Sequence, residues 1–252
     1  MLYFANSERY RVIYKQGNKR ILIGTQLGET EAYEIVSLVE SKNFEVIEVL
    51  KDHPRSKVSR IRLNNLDLVL KVPREKNSKP WIRFLTLFRK SEVFKNLTGM
   101  KLLNSLGIKT TTSYLACEYR NWHMVTDSWL LYFFLDGKEC LDLEETFESV
   151  VSTLSSMHEK NILHGDAQIR NFLIAGEDPY VIDANPKKSK STFTKALEYA
   201  YLKRSQPEIE RYFNDKISKS SIYKFAVKYD KFGRVLAKKK RAFKKALKLD
   251  FL

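Results

Sequence analysis

The stretch His164-Gly165-Asp166-Ala167-Gln168-Ile169-Arg170-Asn171, followed by Tyr180-Val181-Ile182-Asp183, decides the reading of this chain. Phe172-Leu173-Ile174 and Tyr180-Val181-Ile182 are short apolar runs separated by the turn-rich Ala175-Gly176-Glu177-Asp178-Pro179, which predicts a β-hairpin. A hairpin brings its open ends together. Asn171, just before the first strand, and Asp183, just after the second, are therefore expected side by side, where two oxygen ligands of one hard cation must sit. Asp166 stands on a loop five residues before Asn171, placed to face a substrate. Taken singly, Asp and Asn are ordinary turn residues. Their joint spacing, behind His164 and an apolar strand-like run, points to chemistry instead. A carboxylate that accepts a hydroxyl proton and two ligands for Mg²⁺ are what phosphoryl transfer from a nucleotide asks of a protein.

With 252 residues the chain is long for one average domain and short for two, which suits a bilobal unit with a shared cleft. The longest apolar run, Trp129 to Leu135, has seven residues, too few to span a membrane, and reads as a buried strand. The N-terminus, Met1-Leu2-Tyr3-Phe4-Ala5-Asn6-Ser7-Glu8, has neither a basic segment nor a sustained apolar one, so a cytosolic location is expected. Cys117 and Cys140 are too few for a disulfide framework and lack metal-ligand spacing; both are expected to be reduced thiols.

The net charge of +15 is concentrated in the last quarter, where Lys187 to the end holds 20 Lys and Arg against 6 Asp and Glu. A block of like charge is often only a solvated tail. Here Ile222, Phe225, Tyr229, Phe232, Leu236, Phe243 and Leu247 interleave with the charges three, four or seven apart. That periodicity predicts an amphipathic helix, folded or bound at a surface.

Upstream, Arg9 to Lys15 and Arg20 to Gly24 read as a hairpin around Gln16-Gly17-Asn18-Lys19, and Glu29 to Ser41 as a helix. Phe44 to Leu50, Val58 to Leu63 and Leu66 to Val72 are strand candidates. Lys71 lies inside the last of these, and a lysine in an apolar strand is costly unless its ammonium reaches a partner. It is the candidate for gripping nucleotide phosphates. Glu92, in the first turn of a helix predicted over Ser91 to Leu106, is the candidate acidic partner, although the helix dipole alone favours Glu there. Backbone groups from Phe133 to Leu135 are placed to meet an adenine edge, ahead of a hinge at Asp136-Gly137. Asp142 and Glu145 suggest a capping box, opening a helix whose buried stripe is Phe147, Val150, Val151, Leu154, Met157 and His158. His158 reads as a core histidine, and His164 as a residue that holds the loop by hydrogen bonding.

Aspartate, asparagine five residues later and aspartate after a hairpin is the order used by protein kinases and their relatives. His164-Gly165-Asp166 with Asn171 and Asp183 resembles the motif shared by aminoglycoside phosphotransferases, choline kinases and bacterial lipopolysaccharide kinases. With Leu70-Lys71-Val72, Asp136-Gly137 and the basic helical end, the whole chain is most similar to the lipopolysaccharide core heptose kinases. The resemblance implies an α+β, bilobal protein-kinase-like fold. Residues 1–135 would form an antiparallel-sheet N-lobe that binds the nucleotide, and residues 136–252 a mainly helical C-lobe. It further implies ATP and Mg²⁺ as cofactors and phosphorylation of a heptose in the lipopolysaccharide inner core, at the cytoplasmic face of the inner membrane. Carried onto this sequence, Asp166 would be the catalytic base, Asn171 and Asp183 the magnesium ligands, and Lys71 the phosphate lysine.

The chain also departs from its relatives. Asp52-His53-Pro54-Arg55-Ser56-Lys57 stands where a glycine-rich nucleotide loop is expected, Gln168 stands where relatives often carry His, and Ala184-Asn185-Pro186 follows Asp183. Nothing resembling a protein-kinase activation segment follows, so a protein acceptor is not expected. Arg170, Lys187 and Lys188 are candidates for acceptor phosphates, and the basic end for an acidic membrane surface at about 1 kcal/mol per basic residue. No specific nucleic-acid partner is expected. Two alternatives stay open: a kinase for a cationic small molecule of the aminoglycoside or choline type, and a pseudokinase or basic binding module.

Overall fold

The computed structural model describes residues 12–15, 18–24 and 27–246. The N-terminal octapeptide, the start of the first predicted strand, part of its turn and Leu247 lie outside these residues. The chain divides into two compact units, Met1–Asp136 and Gly137–Leu252.

The first unit is built on one antiparallel sheet. Its strands are β1 (Val12–Lys15), β2 (Lys19–Ile23), β3 (Glu45–His53), β4 (Ser56–Leu63), β5 (Leu66–Val72), β6 (Ser113–Asn121) and β7 (Met124–Phe133), in the order β1-β2-β6-β7-β5-β4-β3. Helix α1 (Glu29–Glu40) covers one face and α4 (Glu92–Ser105) the other; the short α2 (Arg74–Ser78) and α3 (Pro80–Leu85) lie between β5 and α4 in the chain. Strand alternation decides which residue meets which helix. Ile21, Ile23, Leu68, Leu115 and Leu131 pack with Ile35 and Val36 of α1, while Leu22, Ala116 and Leu130 pack with Val93, Phe94 and Leu97 of α4. Tight turns set the register: Asn64 and Asn65 both have positive φ (48° and 61°), as a two-residue hairpin turn requires.

The helix predicted over Ser91 to Leu106 forms with Ser91 as its N-cap, its hydroxyl accepting from the Phe94 N–H, and Gly107 at φ 71° follows its end. Strand β3 is an edge strand exposed along its whole length, although its sequence is rich in Val, Ile and Leu. Cys117 and Cys140 are buried free thiols, and burial pushes the Cys117 thiol up to about 12.

The second unit is mainly helical. It contains β8 (Lys138–Glu139), α5 (Phe147–Glu159), β9 (Ile162–Leu163), β10 (Phe172–Ala175), β11 (Asp178–Val181), β12 (Lys187–Lys188), α6 (Thr192–Ser205), α7 (Asp215–Ser218) and α8 (Ser221–Ala246). The buried face of α5 is the predicted set from Phe147 to His158. The capping box at Asp142 and Glu145 does not form. Two 3-10 turns, Cys140–Asp142 and Glu144–Thr146, fill that stretch, and Thr146 at the helix start donates its hydroxyl to the Leu143 carbonyl (2.7 Å). Among the described residues no helix is long and apolar enough to cross a membrane.

Leu131 is fully buried at the centre of the large sheet. Leu131→Ala is expected to lower stability by about 2–5 kcal/mol, read as a shift in the urea midpoint of unfolding.

Candidate active site

Strands β10 and β11 pair antiparallel from Phe172↔Val181 to Ala175↔Asp178, closed by Gly176 at φ 66° and Glu177. At the open end the Ile182 N–H donates to the Asn171 carbonyl (2.9 Å), extending the ladder by one residue. Asp183 follows at once, with φ 51°. Left-handed backbone is uncommon for a non-glycine residue, with Asp and Asn among the types that adopt it most readily. It ends the strand and turns the chain beside Asn171.

The loop before the hairpin is organised around Asp166. The Asn171 side-chain amide donates to the Asp166 carbonyl (2.7 Å) and, more weakly, to its Oδ2 (3.4 Å), while the Gln168 amide donates to Oδ1 (2.6 Å). Two neutral donors therefore orient the carboxylate without cancelling its charge. Gln168, a departure in the sequence, is thus a partner of the candidate base. The Asp166 N–H in turn donates to His164 Nδ1 (3.3 Å). His164 is fully buried, and burial holds its pKa below the ordinary value, only partly offset by Glu198 and Asp166. The ring is a neutral brace, not an acid or base open to solvent.

One residue that sequence reasoning missed holds this loop from below. Glu198, in α6 and 3% exposed, accepts the N–H groups of His164 (3.0 Å) and Gly165 (2.6 Å) and meets His158 Nε2 (2.9 Å). The same helix reaches the far end of the loop, where Ser205 Oγ accepts the Ile169 N–H (2.8 Å). A signal for Glu198 was present: a single carboxylate inside the apolar run Ala196-Leu197-Glu198-Tyr199-Ala200, which must be paired if buried.

The segment after Asp183 is stitched to the loop as well. Asn185 donates its N–H to the His164 carbonyl (2.9 Å), and β12 pairs with β9 as Lys187↔Leu163 and Lys188↔Ile162. Gly165 has φ 91°, and a Cβ there would lie 2.5 Å from the Asn185 carbonyl oxygen, so only glycine fits. Lys187, Lys188 and Arg170 are exposed, the two lysines in register with the residues that lead into His164.

In the first unit Lys71 is buried to 8% exposure and stands opposite Val58 and Leu130. Residues directly opposite in a ladder share a face. Leu130 belongs to the face that α4 covers, so Lys71 points to the same side of the sheet as the helix that carries Glu92. Phe133 and Phe134 have both committed their N–H groups, to the carbonyls of Thr112 (2.9 Å) and Asp67 (3.0 Å). Of the predicted adenine-facing stretch, the Phe133 carbonyl and the backbone of the half-buried Leu135 remain as candidates.

Among the described residues no group of three or more His, Cys, Asp and Glu is placed to hold a metal ion. An Asn–Asp pair at the open end of a hairpin is a different kind of site. Mg²⁺ is commonly held by one or two protein oxygens, with water and substrate phosphates completing an octahedron, and that donor set fits.

The profile of the family described as lipopolysaccharide core biosynthesis protein (WaaY) matches residues 12–247. The chain belongs to this family. It is 25% identical over 162 residues to the lipopolysaccharide core heptose(II) kinase WaaY of Escherichia coli, an alignment covering 61% of this chain and 69% of that protein. Its fold is similar to that of WaaP solved in complex with acyl carrier protein, with a TM-score of 0.51 and 14% identity over 89% of this chain and 98% of that one. The α+β, two-unit architecture is the kinase-like fold that the sequence led one to expect.

Two outcomes test the loop. Glu198→Gln turns one acceptor of the loop's N–H groups into a donor, and is expected to cost about 1–3 kcal/mol of stability in chemical denaturation. For His164, the folded pKa lies below the ordinary 6.5 of the unfolded chain. The unfolded state then binds the proton first, so this contribution is intact above that value and is lost as pH falls through it toward the folded pKa. The urea midpoint is expected to drop on acidification across that window, and less steeply in His164→Gln.

Proposed function

We propose that this chain is an ATP-dependent kinase that phosphorylates a heptose hydroxyl of the lipopolysaccharide inner core, working as a peripheral protein at the cytoplasmic face of the inner membrane. The observation that carries the reading is the stitched loop of the second unit. Asp166 is held by Asn171 and Gln168, and the hairpin register sets Asn171 next to the Ile182-Asp183 turn, in a chain whose family is that of lipopolysaccharide core biosynthesis.

In this mechanism Asp166 accepts the proton of the attacking heptose hydroxyl. The new bond joins that oxygen to the γ-phosphorus, the bond to the β-phosphate bridging oxygen breaks, and ADP leaves. The Asn171 amide donates to Asp166, which leaves its carbonyl oxygen, with the Asp183 carboxylate, to hold Mg²⁺. The metal, when bound, supplies neutralising charge to the phosphates. Lys71 contributes a second positive charge to the nucleotide phosphates, Glu92 orients that lysine, and Phe133 and Leu135 frame the base. Arg170, Lys187 and Lys188 meet the anionic groups of the acceptor.

The glycine-free turn of the first unit suits this role in its own way. His53 Nδ1 accepts the Arg55 N–H (3.2 Å), Arg55 pairs with Glu75 (3.3 Å), and Arg74 pairs with Asp52 (2.6 Å). Side chains hold the β3–β4 turn in place, and Ser56 or Lys57 replaces bare backbone as the phosphate contact.

Asp166→Ala is expected to lower transfer of labelled phosphate to purified core acceptor at least about 10³-fold with the circular dichroism spectrum unchanged. Mass spectrometry of the core from cells with and without the gene should differ by one phosphate on one sugar. Full turnover in the variant, or preferential phosphorylation of a cationic small molecule, would overturn the assignment.

A further inference from the structure

Helix α8 forms as its periodicity requires, but it turns an unexpected face to the protein. Among the side chains described, Tyr223, Ala226 and Asp230 are its buried residues, with Asp230 clamped by Arg204 of α6 and by Arg234 (3.1 Å). Ile222, Phe225, Tyr229, Phe232, Leu236 and Phe243 all face solvent, with Phe232 60% and Phe243 65% exposed. At about 100° per residue these six fall within roughly 80° of arc, whose centre lies about 120° round the helix from the buried face. Phe193 of α6 touches Phe225 and Tyr229 at the near end of this stripe (ring centroids 5.7 and 5.5 Å).

Beyond Asp230 the helix runs on for sixteen residues, about 24 Å. Every side chain described there, 231–240 with 242 and 243, is exposed. A helical segment of that length is marginal in water without a packed face. From Ser221 to Lys240 it carries seven Lys and Arg and one Asp, and that Asp is already paired.

The geometry points to α8 as an interfacial anchor. Its aromatic stripe lies among the acyl chains and headgroups of an anionic bilayer, while the flanking lysines reach the lipid phosphates. This rests on the peripheral location proposed above, not on the phosphotransfer chemistry. Two features on the helix select this occupant. A second copy of α8 would bring like charges together, and a nucleic acid would meet the lysines but leave the stripe in water. An anionic lipid surface matches both the charge and the apolar arc.

The test uses the full chain in sedimentation with vesicles of phosphatidylglycerol and phosphatidylcholine, or of phosphatidylcholine alone. The parent is expected to sediment with the anionic vesicles and to retain part of that binding at high salt, because apolar contact is not screened. Phe232→Gln with Leu236→Gln and Phe243→Gln should lower the partition about tenfold or more. Lys238→Glu with Lys239→Glu and Lys240→Glu should abolish the preference for anionic lipid. Both variants should keep their circular dichroism and their transfer to a soluble core oligosaccharide, so loss of docking and loss of chemistry are read separately. The proposal fails if the triple glutamine variant binds like the parent. It fails equally if the parent prefers neither vesicle, if binding vanishes on nuclease treatment, or if the parent is a dimer that the glutamine variant dissolves.

Discussion

A buried carboxylate with three partners fixes the second unit's working end. Isolated in the interior, the Glu198 charge would cost several kcal/mol; satisfied by two main-chain N–H groups and a histidine, it becomes a clamp. Because it grips backbone, the clamp sets the path of His164 and Gly165 whatever their side chains do. Everything downstream is referred to that path. His164 braces Asp166, the His164 carbonyl takes the Asn185 N–H, and β9 carries β12. One helix, α6, therefore determines where Asp166, the turn after Asp183 and the two lysines stand with respect to one another.

The first unit meets a comparable demand with its sheet. Alternation along β5 sends Leu68 and Leu70 to the α1 side and Lys71 to the α4 side, so one apolar strand delivers a buried cation to a chosen face. Near the end of the sheet Arg60 is held by Asp67 (2.9 and 2.6 Å) and lies over the Phe134 ring at 3.8 Å, which secures the strand that leads to Asp136.

Local patterns in the sequence were enough to reveal the hairpin of Phe172 to Val181, the stripe of α5 and the helix opening at Ser91, since each is decided within a few residues. Glu198 was not read because its partners lie 33, 34 and 40 residues away. The capping box at Asp142 and Glu145 failed for the opposite reason: a local signature gave way to two 3-10 turns. Helix α8 is the sharpest case. Periodicity shows that a stripe exists, but a stripe of Phe and Leu does not say whether protein or another apolar phase covers it. Here a smaller set, Tyr223, Ala226 and Asp230, meets the protein. In β3, apolar composition is likewise no guide to burial, because the two core clusters on the faces of the sheet include none of its residues.

The hairpin between Asn171 and Asp183 carries one more implication. The neighbourhood of these two residues is set by strand register at the open end, whereas Gly176 and Glu177 close the far end, four ladder pairs away. Chain length at the tip is therefore decoupled from the geometry of this pair. Insertions at 176 and 177 would lengthen the interval between Asn171 and Asp183 in sequence and leave their spatial relation intact, while a single-residue slip within either strand would exchange the inner and outer faces and part them. Across a diverging family, the number of residues between this Asn and this Asp is free to drift, and the parity of the strands on either side is not.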